Sequence, residues 1–155
     1  MKAESRAMPS THLSLHYHLV FSTKERRAFI APEWRERLHA CMGGILKAMD
    51  ATPQAIGGVA DHVHLLAGLK ATHCLADVMR DLKRGSSEWV HDTIGDTGFA
   101  WQEGYGAFTV SANVRDGVRL YIARQEEHHR TLTFREEYLD FLQKSGVEFD
   151  ERYLD

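Results

Sequence analysis

The segment Gly57-Gly58-Val59-Ala60-Asp61-His62-Val63-His64-Leu65-Leu66-Ala67-Gly68 decides how the rest of the chain is read. Its second half alternates, with His62, His64 and Leu66 on one side and Val63, Leu65 and Ala67 on the other. A period of two is that of a strand with one face in the core. Two histidines at i and i+2 place both imidazoles on one face, close enough to hold one cation. Surface strands carry such pairs by chance, so the pair is only half of a metal site. The other half has to come from elsewhere in the chain.

Working outward, Gln54 to Val59 reads as a strand, and the turn around Asp61 joins it to the His-Val-His strand as a hairpin. Upstream, Thr52-Pro53 breaks the chain. A helix starts at Pro32, a residue suited to the first helical turn, with Trp34, Leu38, Cys41, Ile45 and Met49 as its stripe. Gly43-Gly44 weakens that helix by ~1 kcal/mol per glycine and leaves room for close packing. Earlier still, Ser14 to Ser22 alternates: Leu15, Tyr17, Leu19 and Phe21 face the core, His16, His18 and Val20 the other side. Downstream, Leu75, Val78, Met79, Leu82, Trp89 and Val90 form the apolar stripe of a second helix. Tyr105 to Ser111 reads as a fourth strand after a loop over 95–104. Val114, Val118, Tyr121, Ile122 and Gln125 mark a third helix, and Phe134 to Lys144 a fourth. The order β-α-β-β-α-β followed by helices predicts an α+β, ferredoxin-like antiparallel four-stranded sheet with C-terminal helices. Its first and third strands are central neighbours, so His16 and His18 share the open sheet face with His62 and His64.

The totals agree with a single domain over 1–155, residues 1–11 being expected as a flexible terminus. At 43% hydrophobic and 26% charged residues the composition is that of a soluble protein. No apolar run approaches the ~18 residues of a membrane span, and no signal-peptide core stands at the N-terminus. Two cysteines without a CxxC spacing, Cys41 and Cys74, fit a reducing cytoplasm and read as small core residues on helices. The net charge of −3 does not announce a nucleic-acid binder. Lys24, Arg26 and Arg27, and further on Lys83 and Arg84, are nevertheless clustered enough to contact a phosphate backbone, or else form a solvated surface.

The missing half of the site lies in the third helix. Residues four apart stand one above the other, so Tyr121 and Gln125 project from one side. A helix laid across the open sheet face brings both to the histidine pair. Gln125 adds an oxygen ligand. Two imidazoles and an amide oxygen leave positions open for phosphate and water, an arrangement suited to Mg²⁺ or Mn²⁺. Tyr121 is then the nucleophile. On its own it would equally be a packed core tyrosine. Tyr105, between Gly104 and Gly106, is a rival nucleophile or a base-stacking platform. His128-His129 reads as a solvated or helix-end pair.

The chain resembles the single-tyrosine HUH transposases of small insertion sequences, including the repeat-associated tyrosine transposases. The matching residues are His62-Val63-His64 with Leu65-Leu66, Tyr121-Ile122 with Gln125 one turn on, and Trp101-Gln102 leading into Gly104-Tyr105-Gly106-Ala107-Phe108. Tyr17-His18-Leu19-Val20-Phe21 with Thr23-Lys24, Leu82-Lys83 before Ser86, Glu127-His128-His129, and Gly146-Val147-Glu148 through Asp150-Glu151-Arg152-Tyr153 also fit. The resemblance implies a DNA transposase acting on single-stranded DNA with hairpin-forming ends. It implies Tyr121 as nucleophile, His62, His64 and Gln125 as ligands of Mg²⁺ or Mn²⁺, and a homodimer that holds two tyrosines together. Lys24, Arg26, Arg27, Lys83, Arg84, His18 and Tyr105 are the DNA contacts expected on that basis.

Two rival functions remain at this level. A non-catalytic or domesticated single-stranded nucleic-acid binding protein would use the same sheet face. A two-histidine phosphoesterase would need His12-Leu13-Ser14 and His129-Arg130-Thr131 as paired motifs.

Overall fold

The computed structural model describes residues 10–150 and Arg152. Most of the terminus expected over 1–11, and Glu151 and Tyr153 of the closing motif, lie outside the described residues. Strand β1 (His16–Ser22), helix α1 (Pro32–Ala48), strands β2 (Thr52–Gly58) and β3 (His62–Gly68), helix α2 (Leu75–Trp89) and strand β4 (Gly106–Val110) follow in the expected β-α-β-β-α-β order. Helices α3 (Arg115–Ala123), α4 (Gln125–His128) and α5 (Phe134–Lys144) come after them. The sheet is antiparallel with strand order β2-β3-β1-β4. No helix among the described residues is long and apolar enough to cross a membrane.

The two faces divide as the alternation requires. Leu19 and Phe21 of β1 and Val63, Leu65 and Ala67 of β3 pack with Leu38, Met42 and Leu46 of α1 and Val78, Met79 and Leu82 of α2. The opposite face carries His18, His62 and His64. There Leu66 meets Val110 and Ile122, so α3 closes a second, smaller core over the sheet. Val20 stands opposite His64 and Ser22 opposite His62 in the β1–β3 ladder, which makes the two central strands one rigid platform.

Several local expectations shift by a turn or a residue. Helix α1 buries Leu38, Met42 and Leu46, a strict spacing of four, and leaves Cys41 and Ile45 only partly covered. Cys74 is exposed and precedes α2 instead of lying within it. Close helix packing occurs at Gly85, where an added Cβ would stand 2.9 Å from Ile45, and not at Gly43-Gly44. Strand β2 begins at Thr52. Its Pro53 is tolerated because β2 is an edge strand, with a register shift between Pro53 and Ala55. The third helix is interrupted at Arg124, whose φ of −105° and ψ of 25° separate α3 from α4.

The trace over 99–104 is pinned to α2. Buried Ser86 donates to the Leu82 carbonyl at 2.7 Å and accepts the Trp101 indole N–H at 2.9 Å. Lys83 donates to the carbonyls of Gln102 and Gly104. These bonds account for the Leu82-Lys83…Ser86 and Trp101-Gln102 pattern in structural terms.

Helix α3 sits on β2 with no side chain between them at Gly57. A Cβ there would lie 2.2 Å from the Ile122 carbonyl oxygen, a backbone atom that cannot rotate aside. Gly57→Ala is therefore expected to lower stability by about 1–3 kcal/mol and to lift α3, carrying Tyr121 and Gln125 out of place. Thermal unfolding with a metal titration checks this; wild-type values in both would contradict it.

Candidate metal centre and nucleophile

Five side chains from three elements converge above the centre of the sheet. His62 and His64 come from β3, Gln125 from the start of α4, His129 from its C-cap, and Glu137 from α5. All five are withdrawn from solvent: His62 and His64 are fully buried, Gln125 and Glu137 nearly so, and the His129 side chain is 11% exposed. Glu137 Oε1 lies 2.8 Å from His64 Nε2, 3.3 Å from His129 Nε2 and 3.5 Å from His62 Nε2. Gln125 Oε1 is 3.2 Å from His62 Nε2 and 3.1 Å from His129 Nε2. One donor atom from each of His62, His64, His129 and Glu137 lies within 4.8 Å of every other. The Tyr121 hydroxyl donates to the second oxygen of the same carboxylate, Glu137 Oε2.

The outer nitrogens decide what the inner ones can do. His129 Nδ1 is 2.6 Å from the Leu132 carbonyl oxygen and His62 Nδ1 is 2.7 Å from Asp61 Oδ1. Both oxygens accept, so both Nδ1 atoms carry the proton. In the neutral rings the two Nε2 atoms then present lone pairs to Gln125 Oε1 and Glu137 Oε1, which are acceptors too. Acceptors facing acceptors in a buried site call for a cation or a bound proton. His64 Nδ1 is 2.8 Å from His18 Nε2, which supplies the same outer support to the third ring. Histidine ligands held by their far nitrogen are the usual build of a metal site, and the residues present fit one.

Comparison with known proteins places the chain among relatives. Residues 11–125 match the family described as "Transposase IS200 like", a span well over half of the chain. The chain belongs to the IS200-like transposase family. The transposases of insertion sequence IS200 from Salmonella typhimurium and from Salmonella typhi are each 25% identical to it over 133 residues, covering 82% of this chain and 87% of theirs. A candidate transposase from Deinococcus radiodurans, 25% identical, superposes with a TM-score of 0.64 over 77% of this chain and 97% of that one. A REP-associated tyrosine transposase bound to a REP hairpin shares the fold, with a TM-score of 0.58 over 79% of this chain and 74% of the other at 12% identity.

In this transposase the charges of the site are coupled. Burial alone would push His62 down, but the carboxylates of Asp61 and Glu137 outweigh it and raise the ring to about 9. Burial lowers His64 to about 4 against the pull of Glu137, and lowers His18 to about 3 with His64 adding to the effect. Glu137 is held far below the usual carboxylate range, because hydrogen bonds from three histidines overcome its burial. Burial and the Glu137 charge push the Tyr121 phenol well above its ordinary value, so the free protein keeps it protonated.

These shifts predict a stability profile for the metal-free protein. His62, raised above its unfolded value of 6.5, gives stability that is complete below 6.5 and lost as pH rises through about 9. His18 and His64, depressed to about 3 and about 4, give stability present above 6.5 and lost as pH falls towards those values. Thermal melts of chelator-treated protein should therefore peak near neutral pH and decline on both sides. A melting temperature that climbs steadily up to pH ~9 would contradict the assignment of His62.

The structure sorts the expected site residues. His62, His64, Tyr121 and Gln125 are together. His129 corrects the expectation of a solvated helix-end pair: it stays in line with Gln125, four residues earlier, and enters the cluster. Glu137 is not among the residues expected from the sequence, although a carboxylate between Phe134 and Phe141 on the buried side of a helix is a visible signal. The expectation that His18 contacts DNA is corrected too. At 3% exposure, beneath Phe141 at 5.0 Å between ring centroids, it supports His64 from behind.

The basic residues divide into two places. Lys24, Arg26 and Arg27 lie on a turn anchored beside the site, since buried Thr23 bonds the Asp61 carbonyl through its N–H at 2.8 Å and its hydroxyl at 3.1 Å. Arg26 also lines an open cleft of about 650 Å³ with Asp61, His129 and Arg130. Arg27 pairs with Glu25 at 2.9 Å. Lys83 and Arg84 belong to α2, on the far side of the sheet. There the Lys83 ammonium is taken up by two carbonyls, and exposed Arg84 pairs with Asp81 at 3.1 Å. Tyr105 presents an exposed ring at the mouth of another cleft, of about 510 Å³, lined also by Phe108, Phe134 and Tyr138. His12 of the phosphoesterase pattern is exposed, whereas His129 is committed to the cluster.

Proposed function

We propose that this transposase cuts and rejoins single-stranded DNA through a covalent phosphotyrosine on Tyr121, acting on hairpin-bearing element ends. One observation carries the proposal: the Tyr121 hydroxyl and the His62, His64 and His129 rings meet at the two oxygens of a single carboxylate, Glu137, with Gln125 Oε1 against His62 Nε2. A buried tyrosine needs some acceptor for its hydroxyl; here that acceptor is the carboxylate that also faces three imidazoles.

In the proposed step the Tyr121 oxygen attacks the scissile phosphorus and the phenolic proton passes to Glu137 Oε2. The bond to the 3′ oxygen breaks and that oxygen takes up a proton from solvent, leaving a 5′-phosphotyrosine and a free 3′-hydroxyl, while Glu137 returns the phenolic proton to solvent. One phosphodiester linkage is exchanged for another, so a 3′-hydroxyl can later reverse the link without external energy. His62, His64 and Gln125 would hold a divalent cation of the Mg²⁺ or Mn²⁺ class, the imidazoles favouring the latter. When bound, such an ion would polarise a phosphate and offset charge developing on its oxygens. The turn at Lys24, Arg26 and Arg27 offers phosphate contacts beside the site, and Tyr105 a face for an unpaired base. A homodimer would hold two tyrosines for the two ends.

The test is incubation with hairpin-bearing single-stranded DNA and Mn²⁺, followed by a denaturing gel. A protein–DNA adduct that survives denaturation is expected. DNA binding in native gels with no adduct under any divalent metal would favour the non-catalytic binding protein instead.

A further inference from the structure

We propose that the metal centre takes four protein donors in the DNA-free protein, with His129 and Glu137 as ligands beside His62 and His64, and that it selects a borderline transition-metal dication, Zn²⁺ above Mn²⁺, over Mg²⁺. The proposal rests on the cluster being the transposase's metal centre, and it changes that centre's chemistry. A site of two imidazoles and an amide, otherwise filled by phosphate and water, is oxygen-rich and accommodates Mg²⁺. A site of three imidazoles and one carboxylate is nitrogen-rich, and Mg²⁺ gives up its waters to such donors reluctantly.

Three observations support it. The distances from Glu137 Oε1 to the Nε2 atoms of His64, His129 and His62 are 2.8, 3.3 and 3.5 Å. For bonds of ~2.0–2.2 Å the edge of a four-coordinate polyhedron is about 3.4 Å. The 3.3 and 3.5 Å spacings match it, the 2.8 Å one is a hydrogen bond of the metal-free state, and all four donor atoms lie within 4.8 Å of one another. Each imidazole is also oriented from behind: His62 by Asp61, His64 by His18, His129 by the Leu132 carbonyl. This is the arrangement in which a ligating histidine presents its other nitrogen to the ion. Finally, the only proton-bearing atoms of His62 and His129 in the neutral state point away, leaving lone pairs aimed inward from two different elements. Gln125 Oε1 borders this four-donor set, 3.2 Å from His62 Nε2 and 3.1 Å from His129 Nε2.

The experiment is a competition titration of metal-free full-length protein against a chromophoric chelator, with Mg²⁺, Mn²⁺ and Zn²⁺ and no DNA. The expected order of affinity is Zn²⁺ above Mn²⁺ above Mg²⁺. His129→Ala and Glu137→Gln are each expected to weaken Zn²⁺ by more than the ~100-fold that marks the upper range for loss of an outer-shell partner. A smaller loss in both variants, or Mg²⁺ matching Zn²⁺, would overturn the proposal while leaving His62, His64 and Gln125 as ligands. Co²⁺ substitution of the unaltered protein gives a reading that needs no variant to fold. Intense visible absorption of a four- or five-coordinate ion supports the assignment, and weak six-coordinate absorption contradicts it. Since no DNA enters these measurements, their failure is distinct from absence of the tyrosine adduct.

Discussion

Tyr121→Phe is expected to abolish DNA cleavage, a loss of at least about a thousandfold, while leaving hairpin DNA binding close to wild type. The change removes one oxygen and keeps the ring that packs with Val118 and Ile122 in the small core over the sheet. It also takes a hydrogen bond away from Glu137. That carboxylate still accepts from His64, so the cost in stability is about 1–2 kcal/mol and the fold persists. Phosphate and base contacts do not use the phenol, which is why binding survives. Tyr105→Phe should keep covalent chemistry, because its exposed ring lies at a cleft away from the imidazoles. The pair of variants, assayed by binding and by adduct formation, separates a nucleophile from a packed aromatic: normal cleavage by Tyr121→Phe would leave Tyr121 a core residue.

The second large effect concerns the histidine pair. His62→Ala and His64→Ala are each expected to abolish cleavage and to weaken Mn²⁺ binding more than about a hundredfold. Their full burial adds a consequence that an exposed pair would not have. Removing either ring leaves a carboxylate, Asp61 or Glu137, short of a partner, so stability should fall by about 2–4 kcal/mol. Calorimetric titration of the folded double variant is the check, and unchanged Mn²⁺ affinity would remove the metal assignment. Gln125→Ala, which deletes a weaker neutral donor, should reduce affinity less than either histidine change.

The β-α-β-β-α-β order was legible because its signals are short-range. Alternation in β1 and β3 sorted each residue onto the correct face, and Pro32 marked the first helix. The histidine pair and Tyr121 with Gln125 were legible through i, i+2 and i, i+4 geometry, which survives any particular tertiary arrangement. What escaped depends on distant packing. Glu137 comes from a helix whose position over the sheet no local pattern fixes. His129 sits at the C-cap of α4, and its neighbour His128 made the pair look like a polar helix end. His18 showed its face but not its depth: only the placement of Phe141 above it turns a surface histidine into a support for His64. Lys83 likewise looked like a surface cation until the carbonyls of Gln102 and Gly104 met it. Charge alone does not say whether a lysine points at solvent or at the chain's own backbone.

The most direct measurement is peptide mapping of the adduct trapped with hairpin-bearing single-stranded DNA and Mn²⁺. After protease digestion, the nucleotide is expected on the peptide containing Tyr121, attached through a 5′ phosphate to its phenolic oxygen. A nucleotide on Tyr105 or on any other residue would contradict the mechanism.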